Sequence, residues 1–172
     1  MVGLNSTKVA FFQAFRELIY EKPVSGISVS EIADRARISK ATFYRHFRDK
    51  YEVMNFHHGE YLESNPIFAG DYREGTCKLL AFFLRHQKYY SAIVKYQGQN
   101  SFTESLYDLC FQDLKKRICP QEELTELEIR HYCHGYAALV NDWIAKGCKG
   151  SPEQLSQALF NAMPQTIREK VE

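Results

Sequence analysis

The sequence contains no apolar run long enough to cross a bilayer. Its longest uninterrupted run, Leu79–Leu84, has six residues, whereas a membrane-spanning helix needs about 20. The first residues also lack the basic segment followed by an apolar segment that a secretory signal shows. We therefore expect a soluble, cytoplasmic protein with no membrane partner.

Paired cysteines and catalytic signatures are missing as well. The five cysteines show no C-x-x-C spacing, which disfavours a disulfide framework. There is no G-x-S-x-G, P-loop, G-x-G-x-x-G or H-E-x-x-H motif. The nearest candidate is the run HYCH, but on a helix His131 and His134 share a face while Cys133 points elsewhere. We therefore expect that the protein is not an enzyme and that it holds no metal and no cofactor. The least favoured alternative is an enzyme that uses His131 or a cysteine.

Strand-like alternation is absent, and apolar residues instead recur at helical spacing. The pattern predicts an all-α protein. The predicted helices run from Thr7 to Tyr20, Ser28 to Arg37, Ser39 to Phe47, Asp49 to about Glu63, as two helices over 72–97 that end near Gly98, then from Ser101 to Cys119, Leu124 to Lys146, and from Ser151 to just before Pro164. Pro66 and Gly70 break the pattern after the fourth helix, where we expect a domain junction.

Charge is distributed unevenly along the chain. Residues 1–50 carry nine basic and five acidic side chains, and residues 51–172 carry thirteen and sixteen, so a net charge of +4 is followed by −3. An excess of this size is modest for a surface that binds DNA, although a symmetric dimer doubles it on one side. Ordinary scatter of surface charge explains it equally well when charge is taken alone.

The stretch from Ser28 to Lys50 is typical of a helix-turn-helix. Ser28 and Glu31 form an S-x-x-E capping box at the start of one short helix. Ser39 is the N-cap candidate of the next, in which Phe43 and Phe47 lie four residues apart and face inward together. The opposite face carries cations, hydroxyls and an imidazole around one small residue, a combination that suits contact with phosphates and base edges.

The strings SVSEIADRARI and ISKATFYRHFRDKYEVM resemble the second helix, the recognition helix and the fourth-helix start of TetR-family transcriptional regulators. The resemblance implies an N-terminal three-helix helix-turn-helix domain over residues 1–50. It also implies a helical ligand-binding and dimerisation domain over residues 51–172. The family commonly has glycine where this chain has Arg37, and a left-handed non-glycine residue costs on the order of 1 kcal/mol, so the turn either accepts that cost or has another shape.

The resemblance also assigns contacts to individual residues. It implies phosphate contacts from Ser28, Thr42, Tyr44, His46 and Lys50, and it places Lys40, Ala41 and Arg45 nearest to the base edges. Two of these have plain structural alternatives, since Tyr44 could serve packing alone and His46 a hydrogen bond within the domain.

Aromatic residues are concentrated in the middle of the chain. Thirteen of the twenty-four lie between Tyr51 and Phe111. Such a cluster either lines a cavity for a small apolar or aromatic effector or fills the core. Tyr89, Tyr90, Tyr96 and Tyr107 favour the cavity, because their hydroxyls need partners when buried.

The last two predicted helices resemble the pair through which TetR-like proteins form a homodimer. The longer one carries an apolar stripe of Tyr132, Tyr136, Leu139, Val140, Trp143 and Ile144, with Gly135 and Ala138 beside it permitting close approach. A twofold dimer places two recognition helices about 34 Å apart, in successive major grooves, so the DNA site should be an inverted repeat. The alternative is that these helices complete a monomeric core.

The leading interpretation is a sequence-specific DNA-binding transcriptional regulator, a dimeric repressor that a small molecule releases from double-stranded DNA. A TetR-like adapter or co-activator with little DNA binding is the alternative, which the modest charge and the lack of a basic N-terminal arm keep open. The repressor interpretation requires an effector that binds two conformations unequally.

Overall fold

The computed structural model describes residues 2–65, 70–119 and 123–171, with side chains from residue 6 onward. Within those ranges all the regular structure is helical, which confirms the predicted all-α class. The helices are α1 Val2–Glu21, α2 Val29–Ala36, α3 Lys40–His46, α4 Lys50–Ser64, α5 Tyr72–Arg85, α6 Gln87–Ile93, α7 Phe102–Ile118, α8 Glu123–Ala145, α9 Pro152–Asn161 and α10 Gln165–Arg168, with a 3-10 turn at Val24–Gly26.

Three features differ from the prediction. Helix α1 begins at Val2 rather than at Thr7. The second helix of the 72–97 region ends at Ile93 rather than near Gly98. Pro164 is followed by the short helix α10, which the sequence analysis did not predict. The proline of the predicted junction, Pro66, lies outside the described residues.

Side chains cap the N-termini of several helices, and the caps predicted at Ser28 and Ser39 are confirmed. Ser28 and Ser151 each form a complete capping box, and the Ser39 side chain accepts a hydrogen bond from the Thr42 amide. Asp49 caps α4 by accepting from the amides of Tyr51 and Glu52. In a capping box Glu52 would accept a hydrogen bond from the amide of Asp49 itself. Here the Glu52 carboxylate instead accepts from the amide of the preceding residue, Arg48, 2.6 Å away.

The N-terminal helices α1, α2 and α3, here called the head, close around aromatic side chains. Phe11 of α1 meets Phe43 of α3 edge to face, with ring centroids 5.2 Å apart, and Phe47 lies 5.7 Å from Phe43. The rings of Phe43 and Phe47 are both buried, as predicted. One face of α3 is thereby fixed inward, and the other is turned to solvent.

The remaining helices, α5 to α10, here called the body, pack as α7 along α8 and α5 along α9. Helix α4 runs from the head into the body. Most of the predicted α8 stripe is buried, but Leu139 is 46 % exposed, and so are Leu124 and Leu127 at the other end of the helix, at 66 % and 55 %. Among the described residues no helix is both long and apolar enough to span a membrane.

Candidate nucleic-acid interface

The outward face of α3 presents the predicted DNA-contacting residues side by side. Lys40, Ala41, Tyr44 and Arg45 are exposed, and Tyr44 keeps 60 % of its surface in solvent. Thr42 and His46 are half-buried on the same short helix. Because Phe43 and Phe47 anchor the opposite side, this face is presented by a rigid support.

Three side chains along this face are joined by hydrogen bonds. The Thr42 amide donates to Ser39 Oγ at 3.1 Å, and the two hydroxyls lie 3.0 Å apart. Arg45 Nη2 donates to Thr42 Oγ1 at 2.8 Å. The guanidinium of Arg45 is therefore drawn toward the N-terminal end of α3.

Ser28 lies exposed at the start of α2 and is already engaged. Its Oγ donates to Glu31 Oε2 at 2.8 Å and accepts from the Glu31 amide at 3.2 Å. The Lys22 ammonium, followed by hydrogen bonds from Ser28, lowers the pKa of Glu31 to about 2. A phosphate approaching Ser28 thus meets a carboxylate whose charge Lys22 offsets.

Lys50 is directed toward the connection between α1 and α2. Its ammonium donates to the carbonyl oxygens of Ile27 at 2.7 Å, Val24 at 2.8 Å and Ser25 at 3.1 Å. Since an ammonium has three protons to donate, these three carbonyls account for its donor capacity. The structure places this predicted phosphate contact inside the head rather than on the α3 face.

The turn between α2 and α3 takes the left-handed form despite lacking glycine. Arg37 has φ 56° and ψ 37°, and the amides of Arg37 and Ile38 donate to the carbonyls of Asp34 and Ala33. The Arg37 side chain is exposed.

Arg48, just beyond α3, is an exposed cation that sequence reasoning did not select. Its charge within a basic stretch was the available signal.

The aromatic cluster of the body packs ring against ring. Tyr61 stacks on Phe82 with centroids 4.0 Å apart, and Phe83 meets Tyr90 at 4.5 Å. The Tyr89 hydroxyl donates to the Met54 carbonyl, and the Tyr90 hydroxyl lies 3.4 Å from His57 Nδ1. These hydroxyls find partners within the chain, so they no longer favour a ligand site.

A groove of about 620 Å³ lies between the end of α3, helix α4 and the start of α7. Its lining is mostly polar and includes Asp49, Glu52, Glu104 and Asp108. This lining differs from the apolar or aromatic cavity that was one of the two alternatives for the aromatic cluster. Within the described chain, no group of three or more His, Cys, Asp or Glu residues is arranged to hold a metal ion.

The HYCH run is divided between surface and core, as its helical spacing predicted. His131 and His134 are exposed, and His134 stacks on Tyr107 with centroids 4.3 Å apart. Cys133 is buried, with its sulfur 3.2 Å from that of Cys110. The three side chains do not converge on one point.

Two family models match the chain. Residues 12–55 match the model for bacterial regulatory proteins of the tetR family, and residues 70–165 match a transcriptional regulator C-terminal region. The first covers the second half of α1, all of α2 and α3 and the start of α4, and the second covers α5 to α9.

Two relatives agree with these matches. An uncharacterized HTH-type transcriptional regulator, YxbF of Bacillus subtilis (strain 168), is 22% identical over 94% of this chain. The match covers 46% of that relative, so the chain spans about half its length. The solved structure of the dihydroxyacetone kinase operon activator DhaS superposes with a TM-score of 0.64 at 21% identity, over 96% of this chain and 98% of that one, and so shares its fold. The chain belongs to the TetR family of transcriptional regulators.

Proposed function

We propose that this protein is a homodimeric regulator that reads DNA by inserting α3 into the major groove. The observation that carries the proposal is the two-sided character of α3. Phe43 and Phe47 hold it against the head, while Lys40, Tyr44 and Arg45 are exposed on the outside. A helix with one anchored face and one face of cations and hydroxyls suits groove binding.

Within that interface the residues divide by reach. Lys40 and Arg45 are long enough to donate to guanine O6 and N7, and Ala41 leaves room for close approach. Tyr44 and His46 supply donors suited to phosphates, with Ser28 at the N-terminal end of α2, and Thr42 lies beside them with its hydroxyl bonded to Arg45. We retain Lys50 as a proposed phosphate contact, although its ammonium now serves the carbonyls beside α2.

The exposed side of α8 supports a dimer. Leu124, Leu127 and Leu139 are large apolar side chains that the monomer leaves in solvent. A Cβ added at Gly135 would have no described atom within 4 Å apart from its chain neighbours and the backbone of α8 itself. A twofold contact along this helix would cover these side chains and pair two heads for an inverted repeat.

In this proposal the two parts of the chain have different roles. Residues 1–50 bind DNA, and residues 51–172 dimerise and regulate. In the repressor form of the proposal, a small apolar or aromatic effector favours a body conformation whose two heads no longer match the operator, and α4 carries the change. The fold relative DhaS is named an operon activator, so a reporter gene that rises rather than falls with the protein would reverse the sign and leave the DNA-binding proposal intact.

A protein-binding adapter or co-activator is the second candidate. The observation that favours it is the internal use of Lys50 and Ser28, which leaves fewer free donors on an already modestly basic head. Phosphate contacts release counterions and give affinity a steep dependence on salt. An adapter would show weak, nearly salt-independent DNA binding.

The experiment is selection of bound duplexes from a randomised DNA pool. Wild type is expected to enrich an inverted repeat, and a Tyr44→Ala/Arg45→Ala variant is expected to enrich none. Circular dichroism and sedimentation confirm that both proteins are helical and have the same oligomeric state. The matched control is Lys149→Ala, which removes an exposed cation far along the chain from α3. Failure of the folded, dimeric wild type to enrich any sequence would move the assignment to the adapter.

A further inference from the structure

The hydrogen-bonded series Ser39, Thr42 and Arg45 on α3 performs two tasks. Ser39 caps the helix through the Thr42 amide, and Thr42 Oγ1 receives Arg45 Nη2 at 2.8 Å. Thr42 and Arg45 are three residues apart, so their side chains share one face of the helix. The helix cap and the orientation of the arginine are therefore parts of one network.

The hydroxyl of Thr42 is largely committed within this network. It accepts from Arg45, and it lies 3.0 Å from Ser39 Oγ, so one of the two hydroxyl protons is shared between them. A threonine used in this way has less to offer a phosphate. What it does supply is a fixed acceptor for one edge of the Arg45 guanidinium.

A guanidinium that is already oriented loses less conformational entropy on binding DNA than a mobile one. Arginine carries five N–H donors in a planar fork, so one bond to Thr42 leaves others for a base. A free arginine side chain loses substantial rotamer freedom when it binds. The hydrogen bond to Thr42 removes part of that freedom before DNA arrives.

We propose that Thr42 is a positioning residue that sets the base preference of Arg45, rather than a phosphate ligand. The proposal rests on α3 being the recognition helix. Thr42 draws the fork toward the N-terminal end of α3, and the remaining donors meet guanine O6 and N7 there. Specificity at one base pair of each half-site then depends on a hydroxyl that touches no DNA.

The test compares Thr42→Val with Thr42→Ser on the selected duplex and on duplexes changed at the guanine that Arg45→Ala ceases to discriminate. Valine keeps the shape of threonine and loses the hydroxyl, whereas serine keeps the hydroxyl. We expect Thr42→Val to lose about tenfold of the preference for that guanine, with the dependence of affinity on salt unchanged. Thr42→Ser should retain the preference.

A double-mutant cycle separates positioning from a general weakening. In the Arg45→Ala background, Thr42→Val should cause no further loss of discrimination, because the group it orients is gone. Thermal unfolding of each variant verifies that the head is folded.

Other outcomes overturn the proposal. Equal weakening on every sequence, with the preference for that guanine retained, identifies Thr42 as a phosphate ligand. An additive loss in the Arg45→Ala background also overturns it. Failure of the wild type to select any inverted repeat overturns the proposed function itself and removes the base that Arg45 would read, so the two failures are distinguishable.

Discussion

His58 Nε2 and Ser105 Oγ lie 2.8 Å apart and join α4 to α7 inside the protein. His58 is 3 % exposed, with its ring against Phe83 and Phe102. Its Nδ1 has no hydrogen-bond partner among the described residues. Because α4 also begins at the head, this contact fixes the helix that links the two parts of the molecule.

Ser105→Ala should therefore destabilise the fold. The substitution leaves a buried imidazole nitrogen unpaired, at a cost of about 1 to 3 kcal/mol in the free energy of unfolding. Urea denaturation followed by circular dichroism measures it. Ser25→Ala, at an exposed position, is the control and should change stability by less than about 0.5 kcal/mol. Equal stability of the two variants would show that the His58 contact contributes nothing.

Stability should also fall in mild acid. Burial, and then the charge of His57, lowers the pKa of His58 to about 3, and burial, followed by His86 and Arg16, lowers that of His57 to about 4. An unfolded histidine has a pKa of about 6.5, so between pH 6.5 and 4 the unfolded chain binds more protons than the folded one. With respect to these two histidines, the free energy of unfolding has its full value above pH 6.5 and decreases as the pH falls below it.

The buried His58 alone contributes a slope approaching 1.4 kcal/mol per pH unit below pH 6. Denaturation at several pH values measures it. His58→Gln should be less stable at pH 7 and should show a shallower slope between pH 6 and 4. An unchanged slope in that variant would contradict the assignment.

Lys50 offers a test of structural against DNA-binding roles. Lys50→Met removes three hydrogen bonds to carbonyls, two of them partly buried. Of those two, only the Val24 carbonyl has a further partner among the described residues, the Ile27 amide. We therefore expect the free energy of unfolding to fall by about 2 kcal/mol. Lys40→Met removes the same charge from an exposed site and should cost under about 0.5 kcal/mol. If Lys50→Met were as stable as Lys40→Met but bound DNA poorly, the phosphate role would account for Lys50.

The left-handed Arg37 predicts a stabilising substitution. At φ 56° a Cβ is strained and glycine is not, so Arg37→Gly should exceed Arg37→Ala in stability by about 1 kcal/mol. Both variants remove the charge, which leaves the backbone as the difference. A glycine variant that is less stable than the alanine variant would mean that the turn has another conformation in solution.

The head was predictable because its signals are local. A capping box such as Ser28 with Glu31 spans four residues, and Phe43 with Phe47 spans one turn, so each is visible in a short window. The same holds for Ser151 at the start of α9. These elements needed no knowledge of the rest of the chain.

What escaped prediction depends on distant contacts. Lys50 reaches carbonyls 23 to 26 residues away. The ring of Tyr96 stacks on Tyr51 of α4, with centroids 4.9 Å apart, beyond the last turn of α6. Helix α10 has four residues, too few for a periodic pattern, and is held by the burial of Ile167.

The candidate site shows the same division. Spacing alone identified which residues of α3 face outward. The bond from Arg45 to Thr42 depends on rotamers that spacing does not fix. Spacing also gave no sign that the tyrosine hydroxyls of the body would be paired within the chain.

The central claim, that two copies of α3 in one dimer read two half-sites, is tested most directly by moving those half-sites apart. Five base pairs, about half a helical turn, are inserted at the centre of the selected duplex, and the affinity of the wild type is compared with that for the original. We expect a loss of at least about a hundredfold, because one head then faces the far side of the DNA. Equal affinity for the two duplexes would contradict the claim.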